Sequence, residues 1–373
     1  MSGIRVESVS RAARLARIRG GRGVDWFPTW ARSPVDYWGR AMPRETASRE
    51  LRFVAGLGLD HVRVWLSVWG YEQDPAYYLD NLRFLLDTAG QLALGVVIEL
   101  FDSCGCEPAP HARTVRVEEV EGLAAGTAGL AVLKMLAGDR GRDIFGRPGL
   151  VETPWSGDAM AAVWEGFVPN PGYAFLGGAH WPRWDAYAQA IVACVRDHPA
   201  MLLLEVMNEP FITQLGTDVD HEPIIAFYRH VTDVVRDVSA SLPLAIGAEQ
   251  SNTVTHNENV PGLDVVSFHS LAGQNALRDG IKVAQEVADG RPVYLSEWGY
   301  FPGGSDEDQL AELRVLFPLV AEAGIAWAIT HLIAGYGPFA STALLYPSGV
   351  MRPAAAYLRK QLAPPAARQG VGR

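Results

Sequence analysis

The chain has 373 residues, 49% of them hydrophobic, and a formal charge of −10 from 32 basic and 42 acidic side chains. That is ample material for a large core, and α/β barrels commonly run past ~250 residues as one domain. The acidic balance argues against nucleic-acid and anionic-membrane partners, which both reward clustered Lys and Arg, and no apolar run reaches membrane-spanning length.

Residues 1–22 form a basic lead-in carrying Arg5, Arg11, Arg14, Arg17, Arg19 and Arg22. It lacks the apolar stretch of a secretory signal, so the expectation is a cytoplasmic protein with a solvated or frayed lead-in helix. Short apolar runs rich in β-branched residues then predict strands over 23–28, 61–68, 93–100, 202–208, 243–248, 264–269, 292–297 and 325–331. Amphipathic stretches between them predict helices over 44–56, 76–89, 183–197, 222–240, 274–288, 306–323 and 353–362. Ser305 or Asp306 is placed to open one helix, and Gly290 and Gly324 to close others.

Continuous apolar strands alternating with helices mean a parallel sheet covered on both faces. Eight such repeats fit an α/β (β/α)8 TIM barrel over 23–363, with 364–373 as a tail. The largest departure from a minimal barrel is the insertion after strand 3, at 101–182. Val115 to Gly138 contains helix-forming stretches; the later part carries Trp155, Trp164, Phe167, Pro169, Pro171, Tyr173, Phe175 and Trp181. Leaving the active end of a barrel strand, it reads as a lid or wall over a groove, or else as a packing subdomain. Cys104, Cys106 and Cys194 are too few and too odd for a disulfide framework. No second Cys/His cluster accompanies Cys104-Gly-Cys106, so two loop thiols are expected, with no metal.

Two apolar runs end in glutamates. The fourth ends Met207-Asn208-Glu209-Pro210, and the seventh ends Ser296-Glu297-Trp298-Gly299. Two carboxylates at the C-terminal tips of strands are the minimum equipment for cleaving a glycosidic bond: one protonates the leaving oxygen, the other attacks the anomeric carbon. The competing explanation, acids placed for helix N-termini, has to hold for both at once.

Arg63 in His61-Val-Arg-Val-Trp65, Asn208-Glu209-Pro210 at the fourth strand and Glu297 at the seventh together resemble the clan A retaining glycoside hydrolases. Within that clan the chain is similar to glycoside hydrolase family 5 and its cellulase-like relatives, from about Gly23 to Tyr357. The resemblance implies Glu209 as acid/base and Glu297 as nucleophile. It implies Arg63 reaching across the barrel mouth to hold the nucleophile's charge, Asn208 donating to the sugar 2-hydroxyl, and His269 beside the pair. Asp25, Trp26, Asp102 with Ser103, Trp298 and His331 are further candidates for contacting substrate. The implied activity is retaining cleavage of a β-linked oligosaccharide or small glycoside, without metal or organic cofactor. Transglycosylation, or a repurposed barrel that binds a glycoside or metabolite without hydrolysing it, are the alternatives; oligomeric state is open.

Three positions depart from the family pattern. Leu271 stands where a tyrosine normally bonds the nucleophile, with Tyr300 or Tyr336 as substitutes. Thr330-His331 stands where strand eight usually ends in tryptophan, and Trp327 lies earlier. Phe101-Asp102-Ser103-Cys104 replaces a histidine-containing end of strand three.

Overall fold

A computed structural model describes residues 9–30, 34–103, 170–172, 175–211, 221–249, 254, 260–271, 273–299, 305–333 and 342–363. Eight parallel strands close into a barrel in chain order. They are β1 (Arg22–Asp25), β2 (His61–Trp65), β3 (Gly95–Asp102), β4 (Met201–Asn208), β5 (Leu244–Ala248), β6 (Val266–Ser270), β7 (Val293–Trp298) and β8 (Ala326–Ile329). β1 pairs with β2 on one side and β8 on the other, which closes the ring. The architecture is a (β/α)8 TIM barrel with a large insertion after strand 3.

The helices are α1 (Arg11–Ile18), α2 (Arg44–Gly56), α3 (Pro75–Gln91), α4 (Trp181–Val195), α5 (Glu222–Val238), α6 (Gly273–Ala288), α7 (Asp306–Ala323) and α8 (Pro353–Leu362). Short helices at Pro34–Tyr37 and Val68–Gln73 join them. Local chemistry fixes several ends. Ser305 accepts from the Asp308 N–H while the Asp308 side chain accepts in return, a capping box that opens α7. Gly324 closes the same helix at φ 63°, a conformation that favours glycine. Asp74 caps α3, whose first turn carries Pro75.

Packing divides the apolar residues into two layers. Outward strand residues such as Val62, Ile98, Leu204 and Leu295 meet the helices in the larger core. Val97, Leu203, Ala245, Val265, Tyr294 and Ala328 fill the barrel interior. Ile18 of α1 joins that interior layer. The lead-in helix is therefore docked along one face, with Arg14 and Ile18 buried, while Ala12, Ala13, Ala16 and Arg17 stay exposed to solvent. Arg14 is fully buried and donates to the carbonyls of Arg196, His198 and Met201, while Arg11 pairs with Asp264 at 3.1 Å. A guanidinium has five donors in a planar fork, so it satisfies loop carbonyls that the strands leave unpaired.

The return of the insertion is anchored beside β3. Asn170 exchanges backbone hydrogen bonds with Asp102 at 2.8 and 3.0 Å. Its side chain donates to the Leu66 and Leu100 carbonyls and accepts from the Val68 N–H. Cys104, Cys106, the 115–138 stretch, Trp155, Trp164, Phe167, Pro169, Tyr173 and the 364–373 tail lie outside the described residues. Cys194 is half-buried and unpaired. No helix among the described residues is long and apolar enough to cross a membrane.

Candidate active site

Irregularities in strand pairing aim the key side chains. On β7, Leu295 pairs with Phe268 and Glu297 with His269, so Ser296 is skipped. The extra residue lets Ser296 and Glu297 both face the lumen; bulges commonly re-aim side chains beside active sites. Ser296 bonds Ser267 at 2.7 Å, and Glu297 meets Arg63. On β4, pairing with β5 shifts between Glu205 and Asn208, and both of these reach Arg63.

Glu209 follows β4 at φ 42°, a left-handed conformation that costs a non-glycine residue about 1–3 kcal/mol and clusters at functional sites. Its N–H donates to the Gly247 carbonyl at 2.7 Å, which holds the turn. Gly247 lies tight against the cluster. A Cβ there would lie 3.2 Å from His269 Nε2, 3.4 Å from Arg63 Nη2 and 3.5 Å from Asn208 Oδ1.

Arg63 is the hub, fully buried on β2. Its Nε donates to Glu205 at 2.7 Å and its Nη1 to Glu297 at 2.6 Å. Nη2 donates to Glu99 and, at 2.6 Å, to Asn208 Oδ1. Asp25 stands 3.6 Å from Nη1. The cross-barrel link expected between Arg63 and Glu297 is present. Arg63 also fixes the Asn208 amide, whose Nδ2 donates to Asp102 at 3.1 Å.

Glu209 and Glu297 stand at the outer edge of this cluster, with side chains 10% and 11% exposed. His269 lies between them, its Nδ1 2.6 Å from Glu209 and its Nε2 3.8 Å from Glu297. Each of the three offers an atom within 4.8 Å of the other two. A Glu-His-Glu set of this kind can ligate a divalent cation. Here the Arg63 charge, 2.6 Å from Glu297 and 3.4 Å from His269 Nε2, opposes one.

Burial alone would lower the His269 pKa, but Glu297 and the bonded Glu209 outweigh it and raise the ring above its ordinary 6.5. A folded value above the unfolded one means stabilisation that is full below pH ~6.5 and lost as pH rises through the folded value. His269→Asn is therefore expected to lower Tm most near pH 5, with the deficit shrinking towards pH 9. Thermal unfolding across that range checks it; a deficit that grows with pH would refute the arrangement.

The remaining candidates separate. Asp102 is buried and orients Asn208. Its neighbour Ser103 donates to the Pro210 carbonyl at 3.2 Å, which ties the turn beyond Glu209 to β3. His331 is 5% exposed, with Nδ1 2.7 Å from Thr342 and its ring edge-on to Phe27. Burial, with Arg63 adding to it, lowers this ring to about 3, so it is a neutral part of the wall. Three expectations need correction. Asp25 has no exposed surface, because it points into the sealed lumen beside Arg63 rather than up into a cleft. Trp26 faces the helices, donating to Glu50 of α2 at 2.7 Å. Trp298 follows the inward Glu297 and so points outward, fully buried edge-on to Trp327. Leu271 has no hydroxyl to offer, and Tyr300 and Tyr336 lie outside the described residues.

Glu99, Glu205 and Ser267 were missed. The first two had a readable signal: a lone carboxylate inside Val-Val-Ile-Glu99-Leu and Leu-Leu-Leu-Glu205-Val must find a buried partner.

No family model and no curated protein matches the chain. Solved structures do. An exo-β-1,4-mannosidase from Opitutaceae bacterium strain TAV5 is 18% identical at TM-score 0.61, over 94% of this chain and 59% of that one. GH5_18 from Streptomyces cattleya, solved with GlcNAc, is 16% identical at TM-score 0.62, over 94% and 81%. An endo-β-1,4-mannanase from Thermotoga petrophila is 13% identical at TM-score 0.55, over 92% and 76%. At these identities the shared property is the barrel fold, and the chain spans about three fifths of the mannosidase.

Proposed function

We propose that the chain is a retaining β-glycoside hydrolase in which Glu297 is the nucleophile and Glu209 the acid/base. The observation that carries this is the placement of both glutamates at one barrel mouth, each with an oxygen within 4.8 Å of the other's, beside a buried arginine 2.6 Å from Glu297. Retaining enzymes hold their carboxyl groups ~5–5.5 Å apart; inverting ones need ~6.5–9.5 Å to admit a water. An oxygen pair within 4.8 Å fits the retaining spacing, and the distance between the carboxyl centres in a crystal structure tests it.

Glu297 attacks the anomeric carbon as the glycosidic oxygen takes a proton from Glu209, and the aglycone leaves. A water then enters, Glu209 takes its proton, and the glycosyl ester with Glu297 breaks with a second inversion. Arg63, bonded to Glu297 at 2.6 Å, keeps it oriented for attack. The His269 bond fixes one oxygen of Glu209, which leaves the other to face the leaving group. Asn208, fixed by Arg63 and Asp102, presents its amide to the sugar 2-hydroxyl, where a hydrogen bond strengthens as the oxocarbenium-like transition state forms. β-Mannosides are the first class to test, because solved neighbours include mannosidases and mannanases.

A panel of 4-nitrophenyl β-D-mannoside, β-D-glucoside and β-D-glucuronide tests the reading. Turnover of at least one is expected, with proton NMR showing the β-anomer as the first-formed product. An α-anomer would replace retention by inversion. Binding without turnover would leave the repurposed barrel.

A further inference from the structure

One cation, Arg63, is buried against Asp25, Glu99, Glu205 and Glu297. Glu99 and Glu205 are directly opposed residues on neighbouring strands, both inside the barrel and both essentially inaccessible. Like charges set directly opposite on a sheet destabilise it, and in a dry lumen the cost is far greater. Both reach one guanidinium, Glu205 at Nε and Glu99 at Nη2, so their carboxyl groups are held side by side away from water. Two such groups can share that space only if one keeps a proton, because two full negative charges would repel in a low dielectric.

The neighbours say which one. Glu205 is surrounded by donors: Arg63 Nε at 2.7 Å on one oxygen and the Ser267 hydroxyl on the other. Glu99 accepts from Arg63 on Oε1, while no donor among the described residues reaches its buried Oε2. A buried carboxyl oxygen that lacks a donor, on the strand opposite a donor-rich carboxylate, is where a proton belongs.

We propose that Glu99 and Glu205 form a single positioning unit, Glu99 giving one retained proton to Glu205, and that this unit clamps Arg63 so its Nη1 stays committed to Glu297. Neither acid touches substrate. Together they present about one negative charge to Arg63, which leaves the guanidinium a share of charge for Glu297. Two full charges in their place would compete with Glu297 for the same cation.

The electrostatics agree. Burial pushes Glu99 well above the usual carboxylate range; Arg63 opposes this, and Glu205 and Asp102 reinforce it. Burial also works against ionising Glu205, but the Arg63 charge and the bonds from Glu99, Ser267 and Arg63 outweigh it and bring that carboxyl down to about 2. Two further titratable side chains lie near the pair: Asp25, pushed well above the usual carboxylate range by burial although Arg63 opposes this, and Tyr294, pushed upward by burial and then by Glu205, so its hydroxyl stays protonated.

The two glutamine variants should respond with opposite signs. A retained proton on Glu99 means a folded value above the unfolded 4.5, so the native state loses stability as pH climbs above that point. Glu99→Gln mimics the protonated acid and removes the loss. Its Tm should match wild type near pH 4 and exceed it by a gap that widens towards pH 8. Glu205→Gln should lower Tm throughout, because an ionised partner of Arg63 is gone.

If Glu99 were instead an ordinary anion paired with Arg63, Glu99→Gln would lower Tm at pH 7 and match wild type only in acid. That result, or a Glu99→Gln chain that fails to fold, overturns the proposal. Infrared spectroscopy gives a second check: a protonated-carboxyl C=O band is expected in the wild type at pH 7 and should lose intensity in Glu99→Gln; a band unchanged by that substitution also overturns it.

The link to chemistry rests on the glycosidase reading and has its own readout. Glu205→Gln should move the acid limb of kcat/KM by about one pH unit, since titration here belongs to the coupled cluster. A residue that only supports the fold would lower the rate and leave the limb in place. If no glycoside is turned over, the functional reading fails while the stability profiles still decide where the proton sits.

Discussion

Glu297→Gln is expected to lower kcat on a 4-nitrophenyl β-glycoside by about three orders of magnitude or more, with KM and folding little changed. The amide keeps the volume of the carboxylate and can still accept from Arg63 Nη1, now 2.6 Å from Glu297. Arg63 also keeps its bonds to Glu99, Glu205 and Asn208, so the hub stays assembled. What the amide cannot do is attack an anomeric carbon, because its nitrogen lone pair is delocalised and it carries no charge. A 2-deoxy-2-fluoro glycoside with a good leaving group makes the test covalent. The wild type should gain one glycosyl unit by mass, located on the peptide containing Glu297, and the variant none. Glu209→Gln should behave differently: a large loss on alkyl glycosides, whose leaving oxygen needs a proton, and a smaller loss in the first step on nitrophenyl ones. Retention of a tenth of the wild-type rate by Glu297→Gln would remove it as nucleophile.

The backbone plan was legible in the sequence because it depends on period and punctuation, which are local. Continuous apolar runs marked all eight strands, and helices 44–56, 306–323 and 353–362 begin and end where capping residues, Pro and Gly put them. The direction of individual side chains at strand ends was not legible. It depends on register, and one skipped residue sends a side chain to the other face. The Ser296 bulge turns Glu297 inward and Trp298 outward, so Trp298 becomes core although it adjoins a mouth residue. Asp25 and Trp26 divide in the same way, one into the lumen and one against α2. The Arg63 cluster is non-local by nature, since its partners come from β1, β3, β4 and β7. Sequence shows each carboxylate as an anomaly in its own strand; only closure of the barrel shows that they are partners of one cation.

Arg63→Met is expected to cause the largest loss of stability of any single change at this site, and to make stability fall more steeply as pH rises. Methionine fills similar volume but leaves Asp25, Glu99, Glu205 and Glu297 without their shared cation. Removing one partner of a buried ionic cluster typically costs about 3–5 kcal/mol, because the groups left behind keep their desolvation penalty. Against a total of roughly 5–15 kcal/mol, that can unfold the chain at growth temperature. In the wild type, Glu205 held down to about 2 adds stability that is full above its unfolded value and lost as pH falls towards 2. Without Arg63 the lumen carboxyls are driven up by burial, so the folded state must retain protons. Stability then falls as pH rises above ~4–5. The variant should show its highest Tm in that acid range and lose most of it by pH 8, opposite to the contribution Glu205 makes in the wild type. Arg63→Lys separates charge from geometry. It keeps one positive charge but not the planar fork that holds Glu205, Glu297, Glu99 and Asn208 together, so its Tm should recover more than its kcat. Thermal unfolding of both variants from pH 4 to 8 decides the matter. An Arg63→Met profile parallel to wild type would show that the lumen carboxyls do not depend on this cation, and the electrostatic basis for holding Glu297 as a nucleophile would go with it.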